Sequence, residues 1–138
     1  MQVAGRRLLA AAVLVAMVAV ATTQARATTP VGRWIAEDIR GRGVIDRVQS
    51  TIAISSDGSV AGRGGCNRLS GKAVIAGDSI RFGPVASTKM ACAPAVMRQE
   101  QTFLLALTDV RSWRTEPARG KLILLDAAGR PIVVLAAT

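Results

Sequence analysis

The segment that decides the fold of this chain reads Gly64-Gly65-Cys66-Asn67-Arg68-Leu69-Ser70-Gly71, and a second segment, Ala86-Ser87-Thr88-Lys89-Met90-Ala91-Cys92, follows it. Together they hold both cysteines of the chain. Glycine, asparagine and serine are turn formers, so the first segment predicts a tight turn or a bulge. Proline is favoured in the first turn of a helix, so Pro94 indicates that the second segment leads into a helix.

Short strands separated by turns are predicted on both sides of these segments. Alternating and β-branched apolar runs indicate strands at residues 34–36, 51–54, 60–62, 73–75, 79–82, 122–125 and 132–135. The Asp57-Gly58 pair is a strong hairpin-turn signal. Over residues 94–109, apolar side chains recur at three- and four-residue spacing, which predicts an amphipathic helix. The expected fold class is α+β: a small antiparallel β-sheet or small barrel with one packed amphipathic helix.

The N-terminal residues 1–27 have the pattern of a secretory signal peptide. Arg6 and Arg7 precede an apolar run over residues 8–21, and Ala25-Arg26-Ala27 offers small residues for cleavage after Ala27. The run is shorter than the roughly 20 residues that span a bilayer. We therefore expect residues 28–138 to form a single domain that is periplasmic or secreted and soluble after cleavage. The arginine pair leaves the twin-arginine route open beside general secretion.

The content of charged residues and the absence of histidine limit the classes of partner and of reaction that the sequence favours. The chain has 18 Lys and Arg against 9 Asp and Glu, no histidine and no tyrosine. Because the basic residues are dispersed and aromatic residues for base stacking are scarce, we expect no nucleic-acid partner. A solvated basic surface with weak attraction to anionic polymers or lipid headgroups is the simpler interpretation. Without histidine, Ser-His-Asp sites and most catalytic zinc sites are excluded, so we expect no metal and no cofactor.

The cysteines and the serine–lysine pairs are the remaining candidates for chemistry. Two cysteines in an exported chain favour one internal disulfide between Cys66 and Cys92. Their spacing of 26 differs from the Cys-x-x-Cys arrangement of thiol oxidoreductases, although Cys92 does precede the helix. Ser-Lys catalysis needs a desolvated lysine, which the neighbouring sequence does not indicate for either pair, Ser70 with Lys72 or Ser87 with Lys89. We expect no enzyme, with a redox-active pair or a Ser-Lys site as the alternatives.

One acidic residue lies on the apolar stripe of the predicted helix. Glu100 follows Met97 by three residues and precedes Leu104 by four. A buried carboxylate requires partners, so we expect it to accept hydrogen bonds from the glycine-rich turn, Asn67 or a nearby basic side chain. The alternative is a hydrated carboxylate at the edge of the stripe.

Both segments and the helix resemble the signature of the META domain family, which includes the heat-shock protein HslJ. The family pattern is Gly-Cys-Asn-basic-x-Ser-Gly, then Thr-basic-Met-Ala-Cys, then a helix carrying Glu. The residues that match it are Gly65, Cys66, Asn67, Arg68, Ser70, Gly71, Thr88, Lys89, Met90, Cys92 and Glu100. The resemblance covers about residues 32–135, and Leu69 departs from it where an aromatic residue is common. It implies an envelope protein whose small antiparallel sheet forms a partly open barrel with one packed helix. The family is linked to heat shock and drug tolerance and has no assigned catalytic residue.

Three function classes follow from these observations. The first is an exported non-enzymatic META-like domain that supports cell-envelope integrity or stress tolerance through contacts with envelope proteins. The second is a module that binds a small apolar ligand or lipid in the cavity of an incompletely filled barrel. The third is the thiol-redox or Ser-Lys enzyme. The oligomeric state has no signal in the sequence.

Overall fold

Nine strands and one α-helix make up the described part of the chain, which is residues 17–19 and 29–138 of a computed structural model. The strands are β1 (Gly32–Ile39), β2 (Thr51–Ile54), β3 (Ser59–Arg63), β4 (Arg68–Ala76), β5 (Ser79–Phe82), β6 (Ala86–Ser87), β7 (Ser112–Glu116), β8 (Lys121–Leu125) and β9 (Pro131–Ala137). The helix α1 spans Pro94–Asp109, and a short 3-10 turn spans Pro117–Arg119. The predicted cleavage site after Ala27, and the leader before it apart from residues 17–19, lie outside the described residues.

The strands form one antiparallel sheet whose pairings return to their starting point. Hydrogen-bonded neighbours run β1-β2-β3-β4-β5-β7-β8-β9, and β9 pairs again with β1. The shortest pairing in this ring is between β5 and β7, where Ser79 lies opposite Ser112. β6 continues the line of β5 beside the first half of β4. The sheet is thus a ring of hydrogen bonds with one packed helix, and the predicted α+β class is confirmed.

The inside of the ring is filled with apolar side chains. Along β2 and β4 more and less buried residues alternate, so each of these strands turns one row of side chains inward. From α1, Phe103, Ala106 and Leu107 are buried in the same core. The largest fully buried side chains are Ile39, Ile52, Ile80, Phe103, Leu107, Leu122, Leu124 and Leu135. No helix in the described ranges is long and apolar enough to cross a membrane.

The glycine-rich turn is shorter than its composition indicates. Bends cover only residues 64–67, and β4 already begins at Arg68. The expectation that Ser70 and Gly71 belong to a turn is therefore wrong. Both pair with β3, where Ser70 lies opposite Ala61 and Gly71 opposite Val60. Sheet pairing satisfies their backbone groups, so turn preference is overridden by tertiary context.

Two strands gave no usable sequence signal. β7 has the sequence Ser-Trp-Arg-Thr-Glu and carries one large apolar side chain, yet it pairs along its whole length with the apolar strand β8. Trp113 also donates from its indole Nε1 to the Gly77 carbonyl at 2.9 Å. β6 has only two residues, which is too short for a periodic pattern. In both cases the segment becomes a strand because its backbone pairs with the neighbouring strand.

Candidate functional site

A disulfide joins the glycine-rich turn to the entry of the helix. Cys66 and Cys92 are bonded, with their Cα atoms 6.1 Å apart, and neither cysteine is free. Cys66 is only 5% exposed, whereas Cys92 lies at the surface just before Pro94. The bond closes a loop of 26 positions that contains β4, β5 and β6. It ties the start of this loop to its end.

Asn67 occupies the centre of the turn, and every hydrogen-bonding atom of its side chain has a partner. The Nδ2 group donates to the Met90 carbonyl at 3.1 Å and to Glu100 Oε2 at 2.7 Å. The Oδ1 atom accepts from the Thr88 hydroxyl at 2.8 Å and from the Met90 amide at 2.7 Å. Asn67 is 3% exposed. One side chain therefore joins the turn, the segment before Cys92 and the helix.

Glu100 receives three hydrogen bonds from the same turn. Its Oε1 accepts from the amides of Cys66 at 3.1 Å and Asn67 at 2.5 Å, and its Oε2 accepts from Asn67 Nδ2. Turn backbone and Asn67 are among the donors expected from the sequence, and the carboxylate is buried at 4% exposure. We call the set Asn67, Thr88, Met90 and Glu100, with the Cys66–Cys92 bond, the polar lock.

The ionisation of Glu100 follows from these contacts. Burial raises the pKa of this carboxyl, but the side-chain and backbone hydrogen bonds of Asn67, the Cys66 amide and the nearby Lys89 charge lower it more. The net result is a pKa below the ordinary value of 4.5. Glu100 is therefore an ionised acceptor at neutral pH, which is the state that three donors require.

A second buried contact, which sequence reasoning missed, holds the loop between β1 and β2. Gln99 Oε1 accepts from the Ile45 amide at 2.7 Å, and its Nε2 donates to the Val48 carbonyl and to Ser50 Oγ, both at 3.1 Å. Ser50 Oγ in turn donates to the Gly64 carbonyl at 2.6 Å. Adjacent helical residues thus hold two different loops. The only available signal was a polar residue beside Glu100 on the same helix.

Gly64 is required because Glu100 lies directly against its backbone. A Cβ atom on Gly64 would overlap Glu100 Cγ and lie 2.7 Å from Oε1. Three hydrogen bonds hold that carboxylate, so it cannot move without breaking them. We expect Gly64→Ala to lower the free energy of unfolding by about 1–3 kcal/mol, as for overpacked cores. Chemical denaturation measures this change.

The matched control for this substitution is Gly83→Ala. A Cβ there would meet only the Lys72 carbonyl, at an ordinary contact distance of 3.5 Å. Its unfolding midpoint should stay within about 0.5 kcal/mol of wild type. Equal stability of both variants would show that Glu100 can leave the Gly64 backbone at no cost.

The other motif residues lie around the lock, and most of them face solvent. Arg68, Ser70 and Lys89 are exposed, and the Met90 side chain is 61% exposed although its backbone belongs to the lock. Gly65 has a φ of +143°, a conformation that favours glycine. Gly71 packs against the Pro84 carbonyl, where a Cβ would be 3.2 Å away.

Neither serine–lysine pair is arranged as a catalytic site in the described residues. Lys72 and Lys89 are both exposed, and no hydrogen bond joins either of them to Ser70 or Ser87 within residues 29–138. A lysine that acts as a base near neutral pH must be shielded from water. Within the same part of the chain, no group of three or more acidic or cysteine side chains could hold a metal ion.

Comparison with known proteins gives this arrangement a family. A sequence model described as the META domain matches residues 27–138. The chain belongs to the META domain family. The match contains all of the polar lock, so in this META domain the characteristic turn, the Thr88 segment and Glu100 converge on one set of internal contacts. No curated protein sequence matches the chain.

Two solved structures are similar to this META domain in fold. An NMR structure of a protein from Burkholderia xenovorans is 22% identical, with a TM-score of 0.63 over 78% of this chain and 81% of that chain. A second NMR structure is 21% identical, with a TM-score of 0.57 over 77% of this chain and 88% of that chain. At these identities the likeness concerns the fold alone.

Proposed function

We propose that this META domain is exported and non-enzymatic, and that it supports envelope integrity or stress tolerance, as an HslJ-like protein would, through contacts with other envelope proteins. The proposal rests on one observation: the polar side chains of the motif make their hydrogen bonds inside the domain. Asn67 and Glu100 spend their polar side-chain atoms on contacts inside the chain. Among the described residues, no buried side-chain nitrogen or oxygen lacks a hydrogen-bond partner. An unpaired buried polar atom would have been a candidate contact for a substrate.

A role in protein contacts is supported by the exposed side chain of Met90. The Met90 side chain projects at 61% exposure, between Lys89 and the helix entry. The lock fixes the backbone on which Met90 stands, because Asn67 bonds both the amide and the carbonyl of this residue. A rigidly placed, exposed methionine is a suitable anchor for a protein partner.

Export and partner binding are tested together in the producing cells. The intact mass of the exported protein should correspond to a chain that begins at residue 28. A photo-crosslinking amino acid at Met90 should give a stoichiometric adduct with an envelope protein, and the same group at Ala128, in the exposed β8–β9 turn, should not. An uncleaved chain contradicts the export proposal. Equal crosslinking at both positions, or none, contradicts the contact proposal.

The second candidate function, binding of a small apolar ligand, is favoured by a groove on the surface. The inside of the ring is filled, so the cavity first expected for such a ligand is occupied by side chains. A groove of about 550 Å³ lies instead between α1 and the loop after β1. Ile45 and Leu105 line it and are 40% and 54% exposed. This volume is in the range of small-molecule sites.

Native mass spectrometry of protein isolated gently from the envelope separates the two functions. A retained acyl ligand, lost on Leu105→Ser, supports the groove. A stoichiometric protein partner whose binding is unaffected by Leu105→Ser supports the contact role.

A further inference from the structure

One stretch of this chain is almost free of acidic residues. Between Asp57 and Glu100 the only acidic residue is Asp78. The basic residues in the same stretch are Arg63, Arg68, Lys72, Arg81, Lys89 and Arg98. The stretch contains all of β3, β4, β5 and β6, so one side of the sheet carries a strongly positive charge.

The register of the strands brings four of these cations to one face. Arg63 lies directly opposite Arg68 on the neighbouring strand, so the two side chains point the same way. Lys72 follows Arg68 by four residues on β4 and therefore shares its face. Arg81 lies opposite Val74, which is on the same face of β4. All five side chains are exposed, which places them on the outside of the ring.

None of these four cations forms a salt bridge within the described part of the chain, although the charge of Lys72 helps to lower the pKa of the nearby Asp57 carboxyl. Salt bridges in residues 29–138 engage Arg40, Arg114, Arg119, Lys121 and Arg130, all elsewhere. Like charges directly opposite each other on paired strands are destabilising. The fold nevertheless places Arg63 opposite Arg68, and a bound anion would relieve the repulsion between them.

Exposed apolar side chains accompany the cations. Val74 is 72% exposed and Met90 is 61% exposed. Met90 lines a cleft of about 460 Å³ together with Arg63 and Arg68. We call the set Arg63, Arg68, Lys72, Val74, Arg81 and Met90 the basic face. Cations that attract phosphate and apolar groups that enter the headgroup layer are the two components of membrane-surface binding.

We propose that the basic face docks this domain onto a membrane surface that contains anionic lipid. The charge draws the protein to the surface, the arginines bind lipid phosphates, and Met90 and Val74 enter the interfacial layer. Arginine suits this role because its planar group binds phosphate with two hydrogen bonds. The proposal goes beyond the protein contacts proposed above, because its partner is lipid. Met90 contacts one partner or the other, and vesicle binding in the absence of other proteins tests the lipid contact alone.

Vesicle binding of the full chain tests the proposal. The protein is mixed with vesicles of phosphatidylcholine alone, or of phosphatidylcholine with about 30% phosphatidylglycerol, an anionic lipid that gives the surface a negative potential. Binding to the anionic vesicles should be tighter and should weaken at high salt. At about 1 kcal/mol for each cation near the surface, Arg63→Ser with Arg68→Ser should reduce the partition constant about thirtyfold. The apolar run at residues 8–21 is common to all variants, so their ratios report on the basic face.

The matched control removes two charges elsewhere. Arg42 and Arg98 line the groove beside α1, and neither belongs to an ion pair in the described residues. Arg42→Ser with Arg98→Ser should change the partition constant by less than about threefold, because these cations line the groove beside α1 and do not belong to the basic face. Equal losses in the two double variants would overturn the proposal, since only net charge would then matter. Equal partition constants of wild type and the Arg63→Ser, Arg68→Ser variant on the anionic vesicles would also overturn it.

A soluble polyanion distinguishes a membrane from a charged polymer. Val74→Ser with Met90→Ser should weaken binding to the anionic vesicles severalfold while leaving binding to inorganic polyphosphate unchanged. If these substitutions leave vesicle binding unchanged, and polyphosphate binds as tightly as the vesicles, the face is a polymer site and the membrane proposal fails. Circular dichroism and thermal unfolding should be the same for all variants, because the substituted side chains are exposed.

Discussion

Replacing Glu100 with alanine should lower the free energy of unfolding by about 2–4 kcal/mol, because three buried donors would lose their acceptor. The donors are the amides of Cys66 and Asn67 and the Asn67 side chain. Loss of the carboxylate also frees Asn67, whose other bonds hold Thr88 and Met90. Denaturant unfolding followed by circular dichroism measures the change.

The neighbouring residue provides the control for Glu100. Gln101 is exposed on the same helix, so Gln101→Ala should stay within about 0.5 kcal/mol of wild type. Glu100→Gln keeps the shape of the side chain, but its NH2 group cannot accept the hydrogen bonds that one carboxylate oxygen accepts. The free energy of unfolding of this variant should therefore be close to that of Glu100→Ala. A midpoint for Glu100→Ala equal to that of Gln101→Ala would contradict the lock.

The contribution of Glu100 should also depend on pH. Its folded-state pKa is lowered from the ordinary value of 4.5, so the stabilisation is present above that value and is lost as pH falls through the folded pKa. The difference in unfolding free energy between wild type and Glu100→Gln should therefore be constant near neutral pH and shrink below about pH 4.5. Because both proteins share all other titrating groups, a difference that is unchanged in acid would mean that folding does not lower the pKa of Glu100.

Removing the disulfide, by Cys66→Ala with Cys92→Ala, should have the second large effect. The bond closes a loop of 26 positions, and chain entropy for such a loop gives about 3.5 kcal/mol. The unfolded chain regains this freedom when the cysteines are removed. Thermal and denaturant unfolding measure the loss, and thiol labelling of the native, unreduced wild type should find no reactive thiol.

The same variant separates a structural bond from a redox pair. The double variant should still fold, because the hydrogen bonds of Asn67 and Glu100 join the same segments independently of the sulfurs. Vesicle and partner binding should survive in the folded fraction. Two reactive thiols in the native protein, or a reduction potential near those of thiol oxidoreductases, would favour the enzyme hypothesis.

Local elements of this protein were predictable because their signals lie close together in the chain. The helix over residues 94–109 follows from apolar spacing and Pro94, and the structure gives the same bounds. The hairpin at Asp57-Gly58 was predictable from the Asp-Gly pair, and in the structure Gly58 adopts a φ of +86°. The pairing partner of Cys66 follows because the chain has only one other cysteine. The need of Glu100 for a partner follows from its place on an apolar stripe.

The sequence by itself thus determined the helix, most of the strands, the two cysteines of the disulfide and the need for a buried acceptor. Only the tertiary structure decided which groups satisfy one another, that Ser70 and Gly71 extend a strand, and that Arg63 and Arg68 face the same side. Gln99 and Ser50 are 49 positions apart, and Asn67 and Glu100 are 33 apart. Periodicity reports on neighbours along the chain, whereas such contacts depend on how the ring of strands closes and in which register. That closure is set by packing across the whole domain.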